Sequence, residues 1–398
     1  MRPIHSGSRT LGPRPAVTRS PVAALRRVVR PPRLAAALAA AGLAGCGAQD
    51  AGGGGRVGGD TLTVISMLPL SGPEAPVARD LLRGQKLALA ESGGTFGSRQ
   101  VTMTTLDEGG RQRRRAGRDS VRAARLALSD SQAIAVIGSL RFESAATAVP
   151  LLNAAGLLHV SPTVSYSGFT EQRLPSEPER WYPSGRRTFH PAADDTRQAA
   201  VTIDAVQAAS GRTRPRIVVE REAGPEDVSL ADAIVDRAAA ESLEVTQDLS
   251  RADAVVYVGD DPVAAREVAE STAAASPGAL MVYGDDITRT GLDRELRGGA
   301  ARQALFVSRA PRPGSTPALR RFRREYVSRF GSAPEPYAAL GYAVMGSVLR
   351  GAIAAAGERA GERARVAEAY RESPRALPAP SAFRIRGGRR DYLAVASP

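Results

Sequence analysis

The residue types that most often carry catalysis are scarce in this sequence of 398 residues. No Gly-x-Ser-x-Gly segment offers a serine nucleophile, and the only lysine, Lys86, does not follow a glycine as it would in a phosphate-binding loop. The candidate metal ligands show no metal-site spacing and include one cysteine and three histidines, namely Cys46, His5, His159 and His190. The sequence therefore predicts a protein that is not an enzyme and that holds no metal and no cofactor.

The single cysteine has chemistry of a different kind. Arg26 and Arg27 belong to a basic stretch before the apolar segment 34–45, which is too short for a bilayer core of roughly 30 Å. The apolar segment ends in Leu-Ala-Gly followed by Cys46, the pattern of a bacterial lipobox, whose cysteine thiol is acylated. We predict a signal peptide over 1–45 and a lipidated Cys46. A buried cysteine beside a core helix is the alternative.

Most of the formal net charge of +13 lies in this first segment. Residues 1–45 contain eight arginines and no acidic residue, so their removal leaves +5 for residues 46–398. A further arginine run at 111–118 has no interleaved aromatic residues, which is typical of a solvated helix face. We therefore expect no nucleic acid partner. Residues 46–60 are rich in glycine and predict a flexible tether.

Apolar runs and amphipathic segments alternate along the rest of the chain. The predicted strands are 61–68, 101–106, 133–137, 157–160, 216–220, 252–258, 279–283 and 304–308. The predicted helices are 77–92, 111–128, 144–155, 196–210, 229–242, 262–275, 317–330 and 337–356, before a terminal hairpin at 381–396. This alternation stops near 177–186 and then resumes. It predicts an α/β fold of two doubly wound parallel-sheet lobes, with a hinge and a ligand cleft between them.

In open parallel sheets the ligand lies at the carboxyl ends of the strands. The chain segments that follow the predicted strands therefore define the candidate cleft. They are 66–72, 138–144, 161–167, 220–227, 259–262 and 284–288.

Several motifs in this order resemble the type I periplasmic binding proteins of the leucine/isoleucine/valine-binding kind, over about 61–395. The motifs are Leu68-Pro-Leu-Ser-Gly-Pro73, Ala135-Val-Ile-Gly-Ser139, Val160-Ser-Pro-Thr163, Arg187-Thr-Phe-His-Pro191 and the 322–342 segment with Pro336-Tyr337-Ala338-Ala339. The resemblance implies a hinged clamp that closes over an amino acid and presents it to an ABC permease. It implies a first lobe of 61–190 with 309–356 and a second of 191–308 with 357–398.

The resemblance also implies which residues contact the ligand. In the first loop the family has small hydroxyl residues where this chain has Arg141 and Phe142, so Arg141 either binds a carboxylate or points into solvent. In the second loop and the second lobe, Ser165 and Asp285 match the family's ligand-binding positions, with turn hydrogen bonding and helix capping as their respective alternatives. The remaining predicted contacts are Ser139, Ser144, Thr163 and Asp260.

Two functional hypotheses follow. The first is an exported lipoprotein that is monomeric, anchored to the outer face of the cytoplasmic membrane, and captures a small polar solute for an ABC importer. The second is a sensory or regulatory lipoprotein of the same fold that no longer binds an amino acid. The loop at 222–226, which lacks the aromatic residue usual in the family, motivates the second hypothesis. The segment 245–254 is too short for the helix that the family carries there.

Overall fold

A computed structural model describes residues 55–109, 116–170, 177–185, 187–373 and 377–395. The predicted signal peptide, Cys46 and the first part of the tether lie outside the described residues, as do residues 111–115 of the arginine run. Within the described part, the chain forms two six-stranded sheets, each flanked by helices, as the sequence predicts. We call each sheet with its helices a lobe.

The first sheet has the strand order β2-β3-β1-β4-β5-β6. All its neighbouring pairs are parallel except the short β2, which runs antiparallel to β3. Its central strands read as continuous apolar runs because both faces are covered by helices. The strands are β1 (Thr61–Leu68), β2 (Thr95–Phe96), β3 (Arg99–Asp107), β4 (Ala133–Ile137), β5 (Leu158–Ser161) and β6 (Phe189–Pro191). Their connecting helices are α1 (Ala75–Glu91), α2 (Ala116–Ser129), α3 (Phe142–Ala154) and α4 (Glu177–Trp181).

The second sheet has the order β12-β11-β10-β9-β8-β7, in which β7 to β10 are parallel and the terminal hairpin is antiparallel. Its strands are β7 (Ile217–Arg221), β8 (Ala254–Val258), β9 (Leu280–Tyr283), β10 (Ala304–Ser308), β11 (Ser381–Arg386) and β12 (Arg389–Tyr392). Its helices are α5 (Asp195–Ser210), α6 (Pro225–Ala240), α7 (Pro262–Ala275), α8 (Asp285–Thr290), α9 (Leu292–Glu295) and α10 (Gly298–Gln303). Between α6 and β8 the chain forms one 3-10 turn, Leu249–Arg251, in agreement with the missing helix.

Three further helices follow β10. They are α11 (Pro317–Phe330), α12 (Pro336–Val348), which continues as a π-helical turn to Ala354, and α13 (Arg363–Glu372). Among the described residues, Pro336–Ala354 is the one helix long and apolar enough to cross a membrane, and 72% of its most apolar window is buried inside the protein. Its apolar character follows from this burial, since it lies in the core of the first lobe beside α1.

The lobe boundaries stay a prediction, but the packing favours a later one near the C-terminus. Helix α13 packs against β4 and β5 of the first sheet, and its Val366 and Tyr370 are fully buried in the first core. Residues 381–386 instead form β11 of the second sheet. We therefore place the change of lobe after α13 rather than at 357.

The end of the predicted tether is ordered, which corrects its boundary. The Val57 side chain is 2% exposed, and its N–H donates to the carbonyl of Gly361 at 2.7 Å. Arg56 forms an isolated antiparallel bridge with Glu362, and the Asp60 carbonyl accepts from Gln100 at 2.7 Å. Burial of the apolar Val57 side chain holds this part of the glycine-rich stretch on the first lobe. Residues 56–60 are therefore packed on the first lobe and are not part of a flexible tether, contrary to the predicted boundary at Asp60.

Helices α1 and α12 cross so closely that glycine is required on both. A Cβ on Gly84 would lie 1.9 Å from the Ala338 carbonyl oxygen, and one on Gly341 would lie 2.1 Å from the Leu81 carbonyl oxygen. Since the neighbouring atoms are backbone, no side-chain rotation relieves either clash. This contact fixes α12, whose N-terminal residues face the second lobe.

We expect Gly341→Ala to lower the free energy of unfolding by about 1–3 kcal/mol, because the helices must separate to admit the methyl group. Gly117→Ala in α2 is the matched control: its Cβ would meet Thr147 at an ordinary 3.6 Å. The control should be neutral or stabilising by up to ~1 kcal/mol. Urea unfolding measures both. Equal effects of the two substitutions would contradict the close crossing.

Candidate ligand-binding site

The space between the two sheets is organised around a buried arginine. Arg309 follows β10 directly and is 1% exposed, and its guanidinium donates a hydrogen bond to the Ser165 hydroxyl of the first lobe. Four carboxylates surround the guanidinium at 3.8–3.9 Å, those of Asp195, Glu226, Asp285 and Asp286. A buried cation is stable only where charges of opposite sign compensate for its lost hydration.

Asp285 connects this cluster to the first lobe. Its Oδ1 accepts hydrogen bonds from the Ser308 hydroxyl at 2.9 Å, the backbone N–H of Arg309 at 2.8 Å and the Tyr337 hydroxyl at 2.9 Å. Tyr337 lies at the start of α12, and burial together with Asp285 raises the pKa of its hydroxyl well above the ordinary value. Asp285 therefore holds the N-terminal end of α12 against the second sheet.

A second arginine joins the lobes directly. Arg289 on α8 is 5% exposed and donates to Glu74 Oε1 at 2.6 Å and to the Leu140 carbonyl at 2.7 Å, both in the first lobe. It also pairs with its neighbour Asp286. The other carboxylate oxygen of Glu74 accepts from Arg141. The lobes are therefore closed on one another by the protein's own charges.

The carboxylates in the cluster outnumber the arginines. As a result, the pKa values of some carboxylates are lowered by the arginines and those of others are raised by burial and by neighbouring negative charge. Burial raises the pKa of Asp286 in itself, but Arg289 and Arg309 hold it below the ordinary value. Burial and the negative charge of Asp286 raise the pKa of Glu226 to about 8. Burial also raises the pKa of Asp195, whose carboxylate accepts from the Ser165 and Ser229 hydroxyls. Burial and Asp286 therefore favour the protonated form of Glu226, which reduces the surplus of negative charge.

Next to this cluster a small cavity opens between the lobes. Its volume is about 90 Å³, well below the ~300–1,000 Å³ of typical small-molecule sites. Six acidic residues and two arginines line it, including Glu226, Asp260, Asp286 and Arg289. Phe142 lies in its wall and stacks on Phe169 with ring centroids 5.6 Å apart. In this closed form the side chains fill most of the interlobe space.

The structure brings five of the predicted ligand contacts to this region. Ser165 and Asp285 meet at Arg309, and the small cavity is lined by Arg141, Phe142 and Asp260. Arg141 does not point into solvent; it forms an ion pair with Glu74. Whether these residues contact a ligand stays a prediction.

The other three predicted contacts make bonds within the first lobe. The Thr163 hydroxyl donates to the Leu140 carbonyl at 2.9 Å, and the Ser139 carbonyl accepts from Ser161 at 2.7 Å. Ser144 lines a separate cavity of about 20 Å³ beside Glu108. The Thr163 bond ties the second loop to the first, whereas the Ser139 bond involves its backbone carbonyl and not its hydroxyl. A ligand contact of these residues stays a prediction.

The residues that dominate the interface were not predicted from the sequence. Arg289 lies four residues after Asp285, one helical turn along α8, and Arg309 follows a strand end directly. Both positions carry a usable signal, but arginine is so abundant in this chain that neither stood out. Glu74 and Glu226, at the starts of α1 and α6, were missed for a similar reason, since acids are common at helix N-termini.

The described residues contain no group of three or more His, Cys, Asp and Glu side chains arranged to hold a metal ion. The carboxylates of the cluster instead face guanidinium groups. His159 is fully buried in β5, and burial lowers its pKa to about 4, so it is a neutral core residue as its position in a strand indicates.

A further buried acid lies behind the site. Glu108 is 2% exposed, accepts from the Leu140 N–H at 3.1 Å, and has its pKa raised by burial from 4.5 to about 8. Between these two pH values the folded protein binds more protons than the unfolded chain does. The Glu108 contribution to stability is therefore fully favourable at low pH and is lost as the pH rises towards 8.

We expect Glu108→Gln to remove this decline, because glutamine does not ionise. The difference in free energy of unfolding between the variant and the wild type should therefore shift in favour of the variant by up to several kcal/mol between pH 5 and 8, at about 1.4 kcal/mol per pKa unit. The control is Glu358→Gln, an exposed acid, whose pH profile should run parallel to that of the wild type. Denaturant unfolding across this pH range measures all three. A Glu108→Gln profile parallel to the wild type would refute the raised pKa.

Comparisons with solved structures show the same fold at low sequence identity. A leucine-binding protein from Thermotoga maritima aligns with a TM-score of 0.61 and 19% identity, over 85% of this chain and 99% of its own. A substrate-binding protein from Desulfitobacterium hafniense in complex with Leu gives 0.63 and 16%, over 84% and 100%. A solute-binding protein from R. palustris in complex with benzoate gives 0.61 and 17%, over 85% and 97%. Comparison with curated protein sequences finds no match.

The family comparison covers most of the chain. The description "Periplasmic binding protein" matches residues 61–390, close to the range predicted from the motifs. This is a family of extracytoplasmic proteins that bind small molecules and are not enzymes, in agreement with the prediction made from the scarcity of catalytic motifs. Together with the two-lobed parallel-sheet fold, this match shows that the chain belongs to the periplasmic binding protein family.

Proposed function

We propose that this protein is the solute-binding lipoprotein of an ABC importer, and that it captures a small polar solute between its two lobes for a membrane permease. The observation that carries the proposal is the convergence of side chains from both lobes on Arg309 and Arg289. Loops that meet in this way can close around a solute and hold it by hydrogen bonds. The similar structures with bound leucine and benzoate support a small organic solute.

The charge of the small cavity favours a solute with a positively charged group. Its acidic residues outnumber its arginines by six to two. Arg141 and Arg289 are paired with Glu74, and although Asp286 is paired with Arg289 and the protonated form of Glu226 is favoured, the acids still exceed the arginines. An ammonium or guanidinium group would find carboxylate acceptors at Asp260 and Asp286 and the ring of Phe142 in the same wall. An amino acid or a related metabolite has such a group.

Solute entry requires the lobes to separate. Because the closed cavity is about 90 Å³, an amino acid enters only when Arg289 leaves Glu74 and the Leu140 carbonyl. Solute contacts must then replace these bonds. The observed affinity is lower than the affinity of the open form, because part of the binding free energy is used to open the closed, solute-free form. A binding protein of this design selects solutes that supply equivalent charges.

A second candidate function has its own support. The arginines and carboxylates of the two lobes satisfy one another without a solute, and they fill the space where a solute would lie. This favours the hypothesis of a sensory or regulatory lipoprotein that stays closed and has lost amino acid binding. The two hypotheses differ in whether any small solute stabilises the protein.

A thermal-shift screen of the purified protein against amino acids and related metabolites tests the proposal. We expect at least one cationic or zwitterionic solute to raise the unfolding midpoint, because a ligand at a hundred times its dissociation constant adds about 2.7 kcal/mol. Asp260→Asn should weaken binding about tenfold, since it removes one carboxylate from the cavity. Asp236→Asn removes an exposed acid on α6 and should bind like the wild type. If no solute shifts the midpoint, the regulatory hypothesis replaces the transport proposal.

We also propose that Cys46 is acylated and anchors the protein to the outer face of the cytoplasmic membrane. The lipobox pattern supports this proposal. Cys46→Ala should move the protein from the membrane to the soluble fraction on cell fractionation. Cys46→Ala with Ala48→Cys keeps a thiol outside the motif and should be released as well. Unchanged membrane association of Cys46→Ala would refute the anchor.

A further inference from the structure

A broad basic groove lies apart from the small interlobe cavity. It is bounded by α9, α10, α11, the loop before α12 and the β11–β12 hairpin, and its volume is about 1460 Å³. Nine of its lining residues are arginines, and its acidic lining residues are Asp293 and Glu335. We call this feature the arginine groove. It spans both lobes, because α11 follows the return to the first lobe whereas α10 and the hairpin belong to the second.

The two acids are already neutralised by neighbouring arginines. Arg390 binds Asp293 at 2.9 Å and Glu335 at 2.6 Å, and Arg294 reaches Glu335 at 3.4 Å. Arg386 pairs with Asp391 on the hairpin at 3.1 Å. A surplus of positive charge therefore remains along the groove, at exposed side chains on three different elements: Arg302 on α10, Arg323 on α11 and Arg389 on β12.

The groove also has apolar surface between the arginines. Leu296, Ile385 and Tyr392 are half-buried in its lining, and Arg312 lies over the Tyr392 ring with its guanidinium carbon 5.6 Å from the ring centroid. Surfaces that combine arginine with aromatic and aliphatic residues are typical of protein–protein contacts. A single small anion needs donors that converge on one point, whereas these arginines are spread along the groove.

We propose that the arginine groove is a docking site for an acidic polypeptide segment of a partner protein. Its volume exceeds the ~300–1,000 Å³ of small-molecule sites and suits a chain of several residues. Among the described residues, β12 is the terminal strand of the second sheet and β11 is its one partner, so an extended segment can add to its other edge. Carboxylates along such a segment would pair with arginines on both walls.

Other occupants fit less well. The N-terminal segment 1–45 carries eight arginines and no acid, and residues 46–398 have a net charge of +5, so neither this chain's own leader nor a second copy is complementary in charge. A bilayer surface is flat at this scale and does not enter a concave groove between two lobes. An acidic segment satisfies both the charge and the shape.

Fluorescence anisotropy with labelled decaglutamate, and with a labelled Gly-Ser decapeptide as the neutral probe, tests the proposal. We expect decaglutamate to bind with an affinity that falls as salt rises, and the neutral probe not to bind. The triple variant Arg302→Gln, Arg323→Gln, Arg389→Gln should bind at least about tenfold more weakly. The matched control removes three exposed arginines of α2, by Arg118→Gln, Arg122→Gln and Arg125→Gln, and should stay within about twofold of the wild type.

Three results would overturn the proposal: no binding of decaglutamate at low salt, an equal loss in the two triple variants, or displacement of the probe by inorganic polyphosphate or phosphatidylglycerol vesicles at lower concentration than by unlabelled decaglutamate. The second would show attraction to net charge only, and the third would assign the groove to a phosphate polyanion or a membrane. Unfolding midpoints confirm that each variant is folded. If the groove triple variant is unfolded, the three single variants replace it, each with a partial loss expected.

Discussion

Two arginines buried between the lobes constrain the rest of this structure. Arg289 and Arg309 are 5% and 1% exposed, and burying a guanidinium is tolerable only if carboxylates and hydrogen-bond acceptors surround it. No single loop supplies enough of these. The acceptors therefore come from the starts of α1, α5, α6 and α8 and from the loop after β5. The four carboxylates around Arg309 belong to the second lobe, and the first lobe adds the Ser165 hydroxyl for Arg309 and the Glu74 carboxylate for Arg289.

Closure of the lobes therefore depends on the electrostatic interactions of these two arginines. Separating the lobes would take the Glu74 carboxylate and the Leu140 carbonyl from Arg289 and the Ser165 hydroxyl from Arg309, and water would have to replace them. The raised pKa of Glu226 favours its protonated form, which lowers the surplus of negative charge, while the two arginines favour the ionised form of Asp286. A positively charged solute would relieve the same surplus, which connects the proposed solute class to the charge balance of the closed form.

The arginine groove and the interlobe cavity have opposite charge although both lie between the lobes. The cavity is rich in carboxylates and nearly closed, and the groove is rich in arginine and open. The two features therefore suit different occupants, a small cationic group in one and an acidic chain in the other. Because each spans both lobes, each depends on how far the lobes are apart.

Much of the fold followed from the sequence. Apolar runs such as 133–137 and 304–308 are strands at those residues, and the helices 262–275 and 317–330 begin and end as predicted. The strand ends correctly marked the interlobe region, since parallel strands deliver their carboxyl ends to one edge. The tether boundary was wrong because one buried residue, Val57, outweighs the glycines around it.

The sequence by itself determined the alternation of strands and helices, the two-lobed class and the neighbourhood of the site, because periodicity and chain order are local properties. Only the tertiary structure decided which polar residues matter there. Arg289 and Glu74 are 215 residues apart in the chain, and the local spacing of Arg289 from Asp285 is not enough to distinguish it from the many exposed arginines. Its importance arises from burial, which makes an ordinary charge costly unless a distant carboxylate meets it.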